Sequence, residues 1–237
     1  MVYKIGSARS DERGHYTGGK PGDQKQTDLL DNKGEVSIQD FYIHKKGWVI
    51  LRAKSATHAR KLAKRMAMAC LNKNIGYSQS DRYGIIKNGT ESKVPCNADC
   101  SSTVRQCVIE ATGTDPGDFN TGSEATALVK TGLFDKIEYK KGAEIYTGDI
   151  LVTKTKGHTV ICTEGEDRIS KPSKNYPKYI GTETSIVNAL RIVGETDTSL
   201  THRKKIAEVN NIGDYTGTAA QNGKLLQLLK TGKLVKA

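Results

Sequence analysis

The spacing of apolar residues changes several times along this chain, and each change marks an element. GWVILRAK, Gly47 to Lys54, is β-rich and predicts a strand. SATHARKLAKRMAMACLNKN follows, with Ser55 placed to cap and apolar residues at helical spacing through Leu62, Met66 and Ala69. That pattern predicts a helix with a basic outer face. DCSSTVRQCVIEATG predicts a second helix, opened by Asp99 or Ser101 and stopped at Gly113. GSEATALVKTG, Gly122 to Gly132, predicts a third, with Ser123 capping and Gly132 ending it. GDILVTKTKGHTVICTEGEDRIS then alternates as the two strands of a hairpin would, broken at KTKG and EGED. Helices first and strands later predict an α+β domain with a central antiparallel sheet over residues 1–170.

The character changes after EDRISKPSKNYPK. Two of the five prolines fall there among lysines and serines, which predicts a linker at 171–178. A weak repeat lies beyond it. YIGTETSIVNALRIVGE starts at Tyr179 and YTGTAAQNGKLLQLLKTGK at Tyr215, 36 residues later; both open Tyr-x-Gly-Thr and continue into aliphatic residues. SLTHRKKIAEVNNIG between them is another helical pattern, capped at Ser199 or Thr201 and stopped by Gly213. Residues 179–237 therefore read as a small all-α module of about three short helices.

Composition narrows the classes. A chain of 237 residues holds one good core with room for a small second module. No apolar run approaches the roughly 20 residues of a membrane span, so no membrane insertion is expected. MVYKIGSARSDERG lacks the apolar core of a signal peptide. With 37 basic and 26 acidic residues the net charge is +11, which suits a polyanionic partner: nucleic acid, or the anionic polymers of a Gram-positive wall. The five cysteines form an odd and sparse set, more in keeping with free thiols than with a disulfide scaffold.

Candidate chemistry centres on VPCNADCSS. Cys96 and Cys100 have CxxxC spacing, but a structural zinc needs four ligands, normally in two close pairs, and His15, His44, His58 and His202 are scattered. No metal site is expected, and a disulfide across so short a loop is disfavoured. GHYTGGKP matches G-x-x-x-x-G-K, yet Pro21 stands where a phosphate loop needs Ser or Thr and no helix follows, so no nucleotide cofactor is expected. A nucleophile fits better. Cys100 sits at the mouth of a predicted helix, where free N–H groups and the dipole lower a thiol pKa. Cys107 lies among valines inside that helix, Cys96 in the preceding loop, and Cys162 four residues past His158 on the same strand face. His158, at the start of a strand just after Gly157, is the candidate base for Cys100, 58 residues upstream.

DCSS opening a helix, with GDILV and GHTVI later, resembles the NlpC/P60-type cysteine peptidases of bacterial cell walls. IGSARSDERGHYTGGKPGDQ, IGYSQSDR and PCNADCSS together resemble phage and prophage peptidoglycan amidohydrolases. The tail RKKIAEVNNIGDYTGTAAQNGKLLQLLKTGKLVK resembles a wall-binding segment of such endolysins. The resemblance implies a papain-like catalytic domain with Cys100 as nucleophile and His158 as base. It also implies an oxyanion pocket involving Tyr77 and the Cys100 N–H, with Asp99 beside the nucleophile. The family supplies a third polar residue about a dozen positions after the base, but that window reads DRISKPS; Asn175, Asp23 and Gln24 are the alternatives. The implied activity is cleavage of an amide bond in Gram-positive peptidoglycan, as an N-acetylmuramoyl-L-alanine amidase or a stem-peptide endopeptidase. The implied partners are peptidoglycan and anionic wall polymers, without nucleic acid, and the implied location is the host cytoplasm until release. The alternative from another class is a basic, non-enzymatic nucleic-acid-binding protein, with the helices at Arg52–Lys73 and Arg203–Lys205 lying along phosphates. It accounts for the charge and leaves Cys100 and His158 idle.

Overall fold

The computed structural model describes residues 3–166 and 175–237. The chain forms two compact units, Met1–Arg168 and Ile169–Ala237.

In the first unit, three strands precede any helix: β1 (Lys4–Ala8), β2 (Val36–Asp40) and β3 (Trp48–Ala53). Helix α1 (Ala56–Leu71) follows, then β4 (Ile75–Tyr77), α2 (Gly84–Asn88), β5 (Cys96–Ala98), α3 (Cys100–Thr112), α4 (Glu124–Lys130), β6 (Phe134–Glu138), β7 (Ile150–Thr153) and β8 (Thr159–Glu164). The expected order, helices and then strands, is therefore corrected: strands from both ends of the unit build one sheet. Six strands run in the order β2-β1-β8-β7-β3-β6, every neighbouring pair antiparallel. β4 and β5 form a separate parallel pair. Cys96 thus lies in a strand and not in a loop, paired with Ile75.

Local chemistry explains the helices. The Ser55 hydroxyl accepts the His58 N–H and opens α1, whose Ala59, Leu62, Ala63, Met66, Ala69 and Cys70 are buried on one stripe. That stripe reaches the sheet because Gly6 has no side chain: a Cβ there would stand 2.6 Å from Met66 Cγ and 2.9 Å from Cys70 Sγ. α1 and α3 share the main core with Val49, Leu51, Val152 and Ile161 of the sheet. A smaller core on the other face gathers Ile5, Trp48, Ile50, Leu151, Val160 and Cys162. Beside it, the Arg52 guanidinium on β3 donates to the buried carboxylate of Asp149 at 2.9 and 2.7 Å and lies 4.3 Å from the Tyr146 ring centre.

The second unit has its own core. Helices α5 (Ile186–Ile192), α6 (Leu200–Val209) and α7 (Ala219–Lys230) enclose Ile186, Leu190, Ile206, Leu225 and Leu229 together with Tyr179 and Tyr215. The two repeat tyrosines do the same kind of work: the Tyr179 hydroxyl accepts the Glu183 N–H, and that of Tyr215 donates to Asn222. Thr218 opens α7 with a capping box to Gln221. Of the expected linker 171–178, residues 171–174 lie outside the described residues. Among the described residues no helix is long and apolar enough to cross a membrane.

Candidate active site

Cys100 is the first residue of α3, and its backbone is fixed by the residue before it. Asp99 Oδ1 accepts the Ser102 N–H at 2.7 Å while Ser102 Oγ accepts the Asp99 N–H at 2.9 Å, a reciprocal cap. Asp99 Oδ2 accepts from Arg82 at 3.0 Å, and Arg82 also donates to Asp118 at 2.7 Å and the Phe119 carbonyl at 2.6 Å. A cap bond of this kind stabilises a helix by about 1 kcal/mol; here it also fixes where the Cys100 side chain leaves the backbone. Asp99 accepts the N–H of Ser102 and, through its carbonyl, that of Thr103, whereas among the described residues the N–H groups of Cys100 and Ser101 meet no acceptor.

The opposing wall is the start of β8. The His158 N–H donates to the Thr153 hydroxyl at the end of β7, and the His158 carbonyl accepts the Thr153 N–H, both at 3.0 Å. Thr159 is held on three sides. Its hydroxyl donates to Glu124 Oε1 at 2.6 Å, its carbonyl accepts from Ser7 Oγ at 2.8 Å, and its N–H is directed at the Cys100 sulfur. The nucleophile candidate is thus registered against the residue that follows the base candidate.

Cys100 and His158 line one cleft of about 580 Å³. Tyr77, the last residue of β4, and Gln79 just after it form a wall, with the Gln79 amide donating to the Tyr77 hydroxyl at 3.1 Å. Tyr16 meets Tyr77 edge to face at 6.4 Å between ring centres. Tyr42 and His44, from the β2–β3 connection, close the side toward Trp48.

The electrostatics correct one expectation. Burial, then the charges of Asp99 and Glu124, push the Cys100 thiol up to about 12, although it stands at a helix N-terminus. Burial, with His44 and Arg9 nearby, pulls the His158 imidazole down to about 4. Both shifts favour the uncharged forms, a neutral thiol and a neutral imidazole. Tyr77 is raised chiefly by burial and next by the charge of Cys100. Burial also raises Glu124 to about 8, and its Oε2 is buried without a partner among the described residues.

The other expected residues fall outside the cleft lining. Both Asp99 oxygens are taken up by the helix cap and Arg82. Asp23 accepts the N–H groups of Lys25, Gln26 and Val36, and the Gln24 amide donates to the carbonyls of Pro21 and Gly22, so GGKPGDQ is a fastened turn. Asn175 belongs to the second unit, where it donates to the Gly232 carbonyl. The expected window DRISKPS, 167–173, lies outside the described residues. Cys162 does not share a site with His158: it is packed in the small core on the sheet's other face. All five cysteines are free and buried. Among the described residues no group of three His, Cys, Asp or Glu side chains gathers as a metal site.

Sequence reasoning missed Arg9, Tyr42, His44, Gln79 and Glu124, which reach the site from four separate segments. Nothing in their spacing marks them. Only the sheet order, which sets β1 beside β8, brings Arg9 to the cleft.

A cysteine at a helix mouth and a histidine at a strand start, facing one cleft of a mixed α/β unit, describe the class of site. The chain belongs to the endolysin-like domain family, which it matches over residues 5–169. Family membership makes it an endolysin-type peptidoglycan hydrolase. No curated protein and no solved structure matches it.

Proposed function

We propose that the chain is a cysteine-dependent peptidoglycan amidohydrolase of NlpC/P60 type, cutting an amide bond as an N-acetylmuramoyl-L-alanine amidase or a stem-peptide endopeptidase. The observation that carries the reading is that Cys100 and His158 line one cleft while the Thr159 N–H faces the sulfur. The packing of α3 against an antiparallel sheet whose strand β8 follows His158 supports the papain-like assignment.

In this mechanism the Cys100 sulfur attacks the amide carbon as its proton passes to His158. The pair rests neutral, so transfer and attack occur together. The oxyanion takes hydrogen bonds from the Cys100 N–H and the Tyr77 hydroxyl, whose proton is free because the Gln79 amide supplies the bond it accepts. Collapse breaks the C–N bond, and His158 returns the proton to the leaving amine. Water then opens the thioester: its proton goes to His158, the acyl group leaves as the acid, and the thiol recovers the proton. Asp99 serves by fixing the helix mouth.

The second unit, residues 179–237, is the wall-binding part of this proposal. It has a separate core, and from Pro172 onward 10 Lys/Arg stand against 5 Asp/Glu, a balance that suits anionic wall polymers.

Cys100→Ser tests the mechanism: lysis of Gram-positive cells is lost while sedimentation with walls is kept, and full lytic activity overturns it. Mass spectrometry of digested peptidoglycan assigns the bond. New stem peptides starting at L-Ala mean amidase, and any other new terminus means endopeptidase.

A further inference from the structure

The cleft beside Cys100 is one-sided in charge. Arg9, His44, Lys45 and Lys46 line it, and among the described residues no Asp or Glu does. Lysines on a rim are ordinary in a chain of charge +11, but Arg9 differs from the other arginines. It is half-buried, and its guanidinium donates to two neutral acceptors, the Gln39 amide oxygen and the Ser37 hydroxyl. Its backbone N–H is tied to the Glu35 carbonyl at 2.9 Å. Every other half-buried arginine described in this unit, Arg52, Arg65, Arg82 and Arg105, has a carboxylate partner. A guanidinium partly withdrawn from water without an anion bears part of that desolvation cost, and two neutral hydrogen bonds orient it without neutralising it. Its positive charge is felt at His158, the candidate base, and at Tyr42 in the cleft wall.

We infer that Arg9 is the anchor of an anion subsite, oriented by Gln39 and Ser37, and that the substrate carries a carboxylate next to the bond presented to Cys100. This rests on the proposed hydrolase reading and narrows it. Of the stem peptides available in cell walls, those with a free glutamyl α-carboxylate fit the subsite, and those with that carboxylate amidated do not. A planar guanidinium pairs with a carboxylate through two parallel hydrogen bonds, which fixes orientation as well as charge.

Two measurements test it on the full chain. In the first, kcat/KM is compared on muropeptides differing only in free or amidated glutamyl carboxylate, for the native protein, Arg9→Gln and Arg9→Lys. The native protein favours the acid by about tenfold, the worth of one charge-assisted hydrogen bond. Arg9→Gln brings the ratio near one, and Arg9→Lys restores part of it. Equal losses on both substrates, or no native preference, overturn the subsite. The second needs no hydrolysis. Cys100 is alkylated with iodoacetate, an anion, and with neutral iodoacetamide, and its own peptide is followed by mass spectrometry. The iodoacetate-to-iodoacetamide rate ratio falls several-fold in Arg9→Gln and recovers in Arg9→Lys; an unchanged ratio overturns the subsite. A ratio that moves in a protein that digests no peptidoglycan supports the subsite while removing the hydrolase. Hydrolysis with neither ratio sensitive to Arg9 does the reverse.

Discussion

The Thr159 hydroxyl donates a 2.6 Å hydrogen bond to Glu124, a wholly buried side chain whose second oxygen meets no partner among the described residues. The same threonine turns its N–H toward Cys100, so a single residue joins a buried acid to the nucleophile candidate. Asp99 is the other acid felt by both Cys100 and Glu124.

Glu124 is raised to about 8, so it is mostly protonated at neutral pH and becomes charged as pH rises through about 8. Ionised, it disfavours a thiolate at Cys100. Glu124→Gln removes that charge while keeping an acceptor for Thr159. Between pH 8 and 10 iodoacetamide then alkylates Cys100 about three- to tenfold faster than in the native protein. Equal rates across that window would refute the coupling.

The same residue makes stability depend on pH. Its folded pKa lies above its unfolded value, so the folded state holds the extra proton between roughly 4.5 and 8. Its contribution is full below that window and is lost as pH rises through about 8. Glu35, buried and raised to about 7, acts in the same direction. Denaturant titrations from pH 5 to 9 check this: the native protein loses stability as pH rises, and Glu124→Gln loses less.

His158 titrates near 4 in the free protein, which places the acid limb of kcat/KM close to pH 4 to 5. An imidazole at its ordinary value gives a limb near 6.5. With the thiol at about 12, Cys100 alkylation also climbs through pH 7 to 9 without a plateau. An activity limb at 6.5 with a thiol plateau below pH 8 is the signature of an ion pair and contradicts the neutral resting state.

Among the described residues Asp149 is the one carboxylate that receives Arg52, and it also accepts the Tyr146 N–H at 2.9 Å. Asp149→Ala leaves a half-buried guanidinium without its anion and costs about 3 kcal/mol. Urea unfolding measures it. A loss under about 1 kcal/mol means that Arg52 finds solvent instead.

Residues 172–237 fused to a fluorescent protein label Gram-positive walls, less so as salt rises, because the proposed attraction includes charge. Failure to label any strain that the full chain lyses removes the binding role.

Much of the first unit's local structure is legible in the sequence. Ser55, Asp99 and Gly113 announce α1 and α3 because capping is local chemistry, and His158 stands out because a glycine and an alternating strand frame it. The unreadable parts are long-range. β2 and β6 escaped notice because each is five residues long, and β6 reads Phe-Asp-Lys-Ile-Glu, more polar than apolar. Arg9 and Glu124 look like any surface charge in the sequence; only strand order and burial make them neighbours of the site. The raised thiol pKa is hidden for a related reason: a helix terminus is visible in the sequence, whereas the burial of Cys100 is not.

The order β2-β1-β8-β7-β3-β6 has a consequence for the timing of activity. β8 is the joint between the early pair β1–β2 and the strands β7, β3 and β6, and it ends at Glu164. During synthesis the sheet cannot close until that residue clears the ribosome, which happens only after the whole first unit has been translated. Its cleft then forms in a late, non-local step, of the kind that makes folding slow.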